Sequence, residues 1–159
     1  MTKTLVILLI VAAGMIACNP SKKASSGSKN NPTFNKSQAD LMDDRTFKIS
    51  EVSDDGSYGY TKENPIKVGG VKSSEGPLNE RRFLNALLGP NGEKISYFRR
   101  GSCCSFETPN GLMGGGLLDM YEVTYSGLEK PIVLYINMYD FGILKAPKGF
   151  TFRTIAEKG

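Results

Sequence analysis

The opening residues, MTKTLVILLIVAAGMIACNPSKK, limit most strongly what this chain can fold into. Lys3 gives a positive start, Leu5 to Ile16 is an apolar run, and small residues lead to Cys18. This is the layout of a secretory signal peptide. The run is about 12 residues long, too short for a bilayer that needs roughly 20. It also has no polar position on any face, so it cannot sit as an amphipathic helix on a globular domain. Residues 1–17 therefore read as a targeting segment, and the remainder as a chain delivered to an oxidising compartment.

Met15-Ile16-Ala17-Cys18 resembles the lipobox of bacterial lipoproteins, with Met15 where leucine is usual. The resemblance implies cleavage before Cys18, a diacylglycerol on that thiol and a further fatty-acyl (palmitate-type) chain on its amine. Several acyl chains anchor stably, whereas one is marginal. Asn19 stands where aspartate would favour inner-membrane retention, so the implied home is the outer membrane, with the domain in the periplasm or at the cell surface. The following stretch, NPSKKASSGSKNNPTFNKSQAD, sets Lys22, Lys23, Lys29 and Lys36 against one acid, Asp40. With a single aromatic it buries too little to offset ordering entropy, and residues 18–45 read as a lipidated cysteine and flexible tether. Such a tether spans on the order of 25 Å. Without residues 1–17 the chain keeps 19 basic and 16 acidic side chains, a net of +3, too diffuse to argue for nucleic acid.

Residues 46–159 read as one small domain, its core running from Phe47 to Phe152. TFKISEV (46–52) alternates as a strand with a slip, and NPIKVGGV gives a short extended piece. GPLNERRFLNALLGPNG is the one clear helix, with Pro77 in its first turn, Phe83, Leu84, Leu87 and Leu88 as its apolar stripe, and Gly89-Pro90 as its stop. EKISYFRRGS, LLDMYEVTY (117–125) and PIVLYINMY (131–139) alternate as strands, the last two joined by a hairpin loop at Ser126–Lys130. These elements predict an α+β domain: a four- to five-stranded, mostly antiparallel sheet with one covering helix.

Alternation puts Tyr135 and Tyr139 on one face of the last strand, and Tyr121 and Tyr125 on one face of its neighbour with Asp119 and Val123. A tyrosine-rich outer face is a candidate binding surface; the plainer reading is rings packed under a loop or pairing strands. The carboxylates Glu107, Asp119, Glu122 and Asp140 are candidate acid–base groups or partners of Arg81, Arg82, Arg99 and Arg100. Of these arginines, Arg81 is expected to lay its stem along the helix's apolar edge.

The stretch GSCCSFETPNGLMGGGLLDM holds Cys103 and Cys104 upstream of Gly114-Gly115-Gly116. Neighbouring Cα atoms lie about 3.8 Å apart, below the usual disulfide range of roughly 4.4–6.8 Å, and strand neighbours point to opposite faces. Packed thiols are thus the favoured reading, a disulfide in a distorted turn the alternative, and redox or metal chemistry the outlier. With no histidine in the chain, zinc would need distant carboxylates, and Ser-His-Asp and Cys-His catalysis are excluded. The glycines precede a strand rather than a helix, so they read as a turn and bulge, not a phosphate loop. No metal or cofactor is expected. Cys104–Gly116 reads as the longest irregular loop, the rim of any recognition site.

GYTKENPIKVGG, GPLNERRFLNALLGPNGEKISYFRRGSCCSFETPNGLMGGGLLDMYEVTY and PIVLYINMYDFGILKAPKGFTF together resemble a family of short lipoproteins from flavobacteria and relatives. Its members often bear the name 2-dehydro-3-deoxyphosphooctonate aldolase. That name implies cytoplasmic condensation of phosphoenolpyruvate with arabinose 5-phosphate, and the resemblance carries no catalytic residues with it. A true synthase of that kind is similar to a (β/α)₈ barrel of about 250 residues, against one helix here. The expected function is a non-enzymatic envelope lipoprotein that binds a protein or cell-wall partner. The aldolase and an adjacent-cysteine redox module stand as alternatives.

Overall fold

The computed structural model describes residues 39–154. The signal segment, Cys18 and most of the tether lie outside them. The described chain forms an α+β domain with one α-helix and sheets of mostly antiparallel strands. A short ribbon comes first, β1 (Leu41–Asp43) against β2 (Thr46–Phe47), so pairing begins inside the stretch expected to be tether. Next come β3 (Ile66–Lys67), α1 (Gly76–Ala86) and β4 (Leu87–Leu88). The long hairpin of β5 (Ser96–Glu107) and β6 (Gly115–Thr124) follows, then β7 (Ile132–Asn137) and β8 (Thr151–Phe152). The main sheet runs β3-β7-β6-β5, antiparallel except for the β3–β7 pair, and β4 pairs with β8.

Three elements differ from their sequence reading. The strand expected over 46–52 closes after Phe47, and beyond it only Val52 bridges, to Ala146, because no neighbouring strand continues alongside. The helix ends at Ala86, three residues before Gly89-Pro90. Leu87 turns extended (φ −80°, ψ 150°) so that Leu87 and Leu88 can pair with Phe152 and Thr151. Most consequentially, β5 runs through both cysteines to Glu107, which shortens the irregular loop to Thr108–Gly114.

The core lies between α1 and one sheet face. Phe83 and Leu84 of α1 with Leu87 of β4 meet Ile66, Tyr121, Val123, Leu134 and Ile136, while Phe47 and Phe150 close the ends. Each such apolar side chain contributes about 1.5–3 kcal/mol on burial. Only one side of the helix is apolar, as a helix lying on a sheet requires. The sheet's far face carries a smaller packed group at its β5–β6 end. There the Phe106 and Tyr139 rings meet edge to face, centroids 5.8 Å apart, above buried Gly116. A Cβ at position 116 would sit 2.9 Å from both rings. Gly116→Ala should therefore force the pair apart and lower stability by ~1–3 kcal/mol, read as a shifted urea midpoint.

Candidate functional site

The β5–β6 hairpin gathers most of the residues that the sequence singles out. Strand β5 lies at the sheet's edge and departs from regular pairing twice, between Arg99 and Gly101 and between Cys103 and Cys104–Ser105. At the second bulge Cys104 takes a left-handed φ of 55°. That turn breaks the up–down alternation which would hold neighbouring side chains apart, and Cys103 and Cys104 are joined as a disulfide rather than packed as free thiols. Beside the disulfide, Cys104, Ser105, Phe106, Leu118, Lys62 and Glu63 line an open groove of about 400 Å³.

At the hairpin's turn, Thr108–Gly114 is fixed by Asp140. Its Oδ1 accepts from the Thr108 hydroxyl at 2.6 Å and from Asn110 Nδ2 at 2.8 Å, and its Oδ2 accepts from Asn137 Nδ2 at 3.0 Å. The Asn137 side-chain oxygen in turn accepts the backbone N–H of Tyr139 and Asp140. Despite burial, these donors hold the Asp140 carboxyl below the usual carboxylate range.

The four tyrosines do not form one face. Tyr121 is 4% exposed and points under α1, where its hydroxyl donates to Glu80 Oε2 at 2.9 Å. Tyr125 packs edge to face on Phe150, and Tyr139 on Phe106. Tyr135 stands opposite Met120 on the other side of the sheet, half-buried. The expected tyrosine surface is corrected accordingly: alternation sorts residues into two faces but does not say which face the helix covers. The arginine expectation changes too. Arg81 is exposed, and Arg82 is the buried one, its Nε donating to the Asp44 carbonyl and its Nη1 to Asn79 Oδ1.

A residue the sequence reading passed over lies at the centre. Glu80 of α1 is fully buried, and its Oε1 has no donor in reach. The buried carboxylate of Asp119 lies within hydrogen-bonding distance, itself forked by Arg99 (Nε to Oδ2 2.6 Å, Nη2 to Oδ1 2.8 Å) and bonded by the Ser102 hydroxyl at 2.7 Å. Two carboxylates cannot bond one another without a proton. Burial, reinforced by the charge of Asp119, pushes Glu80 up to about 8, so at neutral pH Glu80 holds a proton beside Asp119. The signal was present in the helical period: position 80 precedes Phe83, Leu84 and Leu87 by three, four and seven residues, which places it in the apolar stripe.

Of the other expected carboxylates, Glu122 lies 3.8 Å from exposed Arg100, and Glu107 is exposed on β5. Both members of the Glu80–Asp119 pair are buried, and the Arg99 side chain that forks Asp119 reaches solvent. Among the described residues, no group of three or more Cys, Asp or Glu is placed to hold a metal ion, and no helix is long and apolar enough to cross a membrane.

Comparison of the chain with protein-family models, curated proteins and solved structures finds no match.

The buried acid predicts a pH dependence. Folded Glu80 keeps a proton that the unfolded chain releases near 4.5, so its stabilising contribution is complete below that pH and is lost as pH rises through about 8. Glu80→Gln imitates the protonated acid. The variant should match the parent at pH 4 and exceed it by a few kcal/mol (~2–5) at pH 8–9, in denaturant titrations across that range.

Proposed function

We propose that this chain is a lipid-anchored envelope protein of the outer membrane, whose domain serves as a non-enzymatic binding or structural module for an envelope protein or cell-wall component. The observation that carries the reading is the run Leu5–Ile16 ending in Met15-Ile16-Ala17-Cys18, followed by a Ser/Lys/Asn-rich stretch and then a folded domain described from Ala39 onward. Two features support a binding role. The titratable pair with the most displaced proton is shut beneath the sheet. What faces outward is a braced hairpin with an open groove beside its disulfide.

The Cys103–Cys104 bond favours a second reading, a redox module that exchanges this disulfide with a thiol partner. The sugar-phosphate condensation implied by the family name has less behind it. Barrels of that class need about 250 residues of alternating strand and helix, and the described residues hold one α-helix.

Expression of the full chain and of Cys18→Ser in a Gram-negative host tests the anchoring. The parent should incorporate labelled fatty acid and partition into detergent, and the variant should do neither. Equal labelling of both would overturn the lipid anchor. Condensation of phosphoenolpyruvate with arabinose 5-phosphate by the purified parent would overturn the non-enzymatic reading.

A further inference from the structure

The turn between β5 and β6 holds two large apolar side chains almost wholly in water. Leu112 is 86% exposed and Met113 97%. Leu117, a few residues into β6, is 45% exposed. An unbraced loop carrying such residues would fold them back onto the protein. Here the backbone forbids it. Thr108 and Asn110 are bonded to Asp140, the Thr108 N–H donates to the Gly114 carbonyl at 2.9 Å, and Gly111 packs so closely on the Gly115 carbonyl that no side chain would fit. Met113 itself takes a left-handed conformation (φ 54°, ψ 28°), which costs a non-glycine residue energy and persists only where the surroundings impose it. The tip is a stiff projection with an apolar end.

We infer that Leu112 and Met113 form a wedge that enters the acyl-chain boundary of the bilayer to which the protein is anchored. This rests on the lipid-anchor reading above. Shape and charge favour a bilayer over a protein pocket. The tip is flanked by Pro109, Asn110, Gly111 and Gly114, without a formal charge, so it meets no electrostatic barrier at a headgroup layer. At its base Asp140 is turned inward onto Thr108 and Asn110, and the exposed carboxylate nearest the tip, Glu107, lies at the end of β5 opposite Gly115, behind the two apolar side chains. A specific protein interface needs several hundred square ångströms of matched surface on each side, and two protruding side chains do not supply it. A lipid boundary requires only depth, and apolar side chains gain by entering it. Cys18 precedes Ala39 by 21 residues, whose covalent reach is at most about 70 Å, so the anchor allows the domain to touch the membrane while two apolar residues alone would bind it only weakly. The wedge thus sets which way the domain faces.

The chain has no tryptophan, so one introduced indole reports without background. Met113→Trp is compared with Phe98→Trp, an exposed apolar position near the start of β5, at the far end of the hairpin from the tip (56% exposed). Each protein is attached through Cys18 to vesicles of phosphatidylethanolamine and phosphatidylglycerol, either by its own acyl chains or by a maleimide-bearing lipid, and circular dichroism verifies the fold. With Met113→Trp the emission should shift to the blue, and quenching by lipids brominated on their acyl chains should exceed that of Phe98→Trp several-fold. Equal weak quenching, with iodide reaching both indoles as in solution, would overturn the wedge and assign the tip to a protein partner. The mass of Cys18 in the cell-derived protein reports acylation separately. An unacylated Cys18 together with a quenched indole would refute the anchor and keep the wedge, and an acylated Cys18 with an unquenched indole the reverse.

Discussion

The buried acid Glu80, bonded to Tyr121 and set beside Asp119, ties the helix to the sheet. Apolar contacts alone would let α1 rotate or slide by part of a turn at little cost, since they are not directional. A buried acid cannot slide. Its Oε2 must meet the Tyr121 hydroxyl and its other oxygen must lie beside Asp119, or a polar group is left unpaired in the core at a cost of about 1–3 kcal/mol. One rotational setting of α1 satisfies both. In that setting Gly76 lies against Val71 and Met138, where a Cβ would come within 3.0 Å of the methionine sulfur, and Phe83 and Leu84 face the sheet. The neutral form of Glu80 makes this affordable, because burying a protonated acid avoids most of the desolvation that a charge would incur.

The network also crosses the sheet. Asp119 is on β6, and Arg99 and Ser102, which both bond it, are on the edge strand β5. Residues three apart in a regular strand point to opposite faces, so these two could not reach one carboxylate if β5 were regular. The bulge between Arg99 and Gly101 inserts one unpaired residue, Arg100, and brings both onto the helix side. An edge strand of twelve residues would otherwise be a template for pairing with another chain, and bulges and arginines along it oppose that.

The α+β class, the single helix and the β6–β7 hairpin were legible because each depends on local pattern: period near 3.6 in GPLNERRFLNA, alternation in LLDMYEVTY and PIVLYINMY. What was not legible depended on which elements meet. Tyr121 alternates with Met120 and Glu122 whichever face is covered, and only the docking of α1 puts it inside. Leu87 and Leu88 continue the helical stripe yet leave the helix, because β8, more than sixty residues on, offers them a partner. Glu80 was readable in principle, as an acid in an apolar stripe. Its role was not, since Asp119 is brought to it by the fold.

Both bulges were also hidden, and together they explain how the hairpin's end is aimed. Each adds one residue to β5 without a counterpart on β6, so each exchanges the two faces for everything beyond it. Up to Arg99, β5 follows one register, with Phe98 opposite Glu122; after Gly101 it is displaced by one, with Cys103 opposite Leu118; after Ser105 by one more, with Phe106 opposite Gly116. One bulge alone would have turned Phe106 to the helix side, away from Tyr139. The second restores the original parity, so Phe98, Cys103 and Phe106 all share the far face with Leu118 and Gly116. The residue left unpaired at this second bulge is Cys104, and the disulfide bonds it to its paired neighbour Cys103. A bulge held in this way cannot migrate along the strand, because the extra residue is covalently fixed at position 104. The Phe106–Tyr139 contact, the bonds from Thr108 and Asn110 to Asp140, and the direction in which Leu112 and Met113 project all lie downstream of that point. The two adjacent cysteines therefore act on the tip by fixing the register that leads to it.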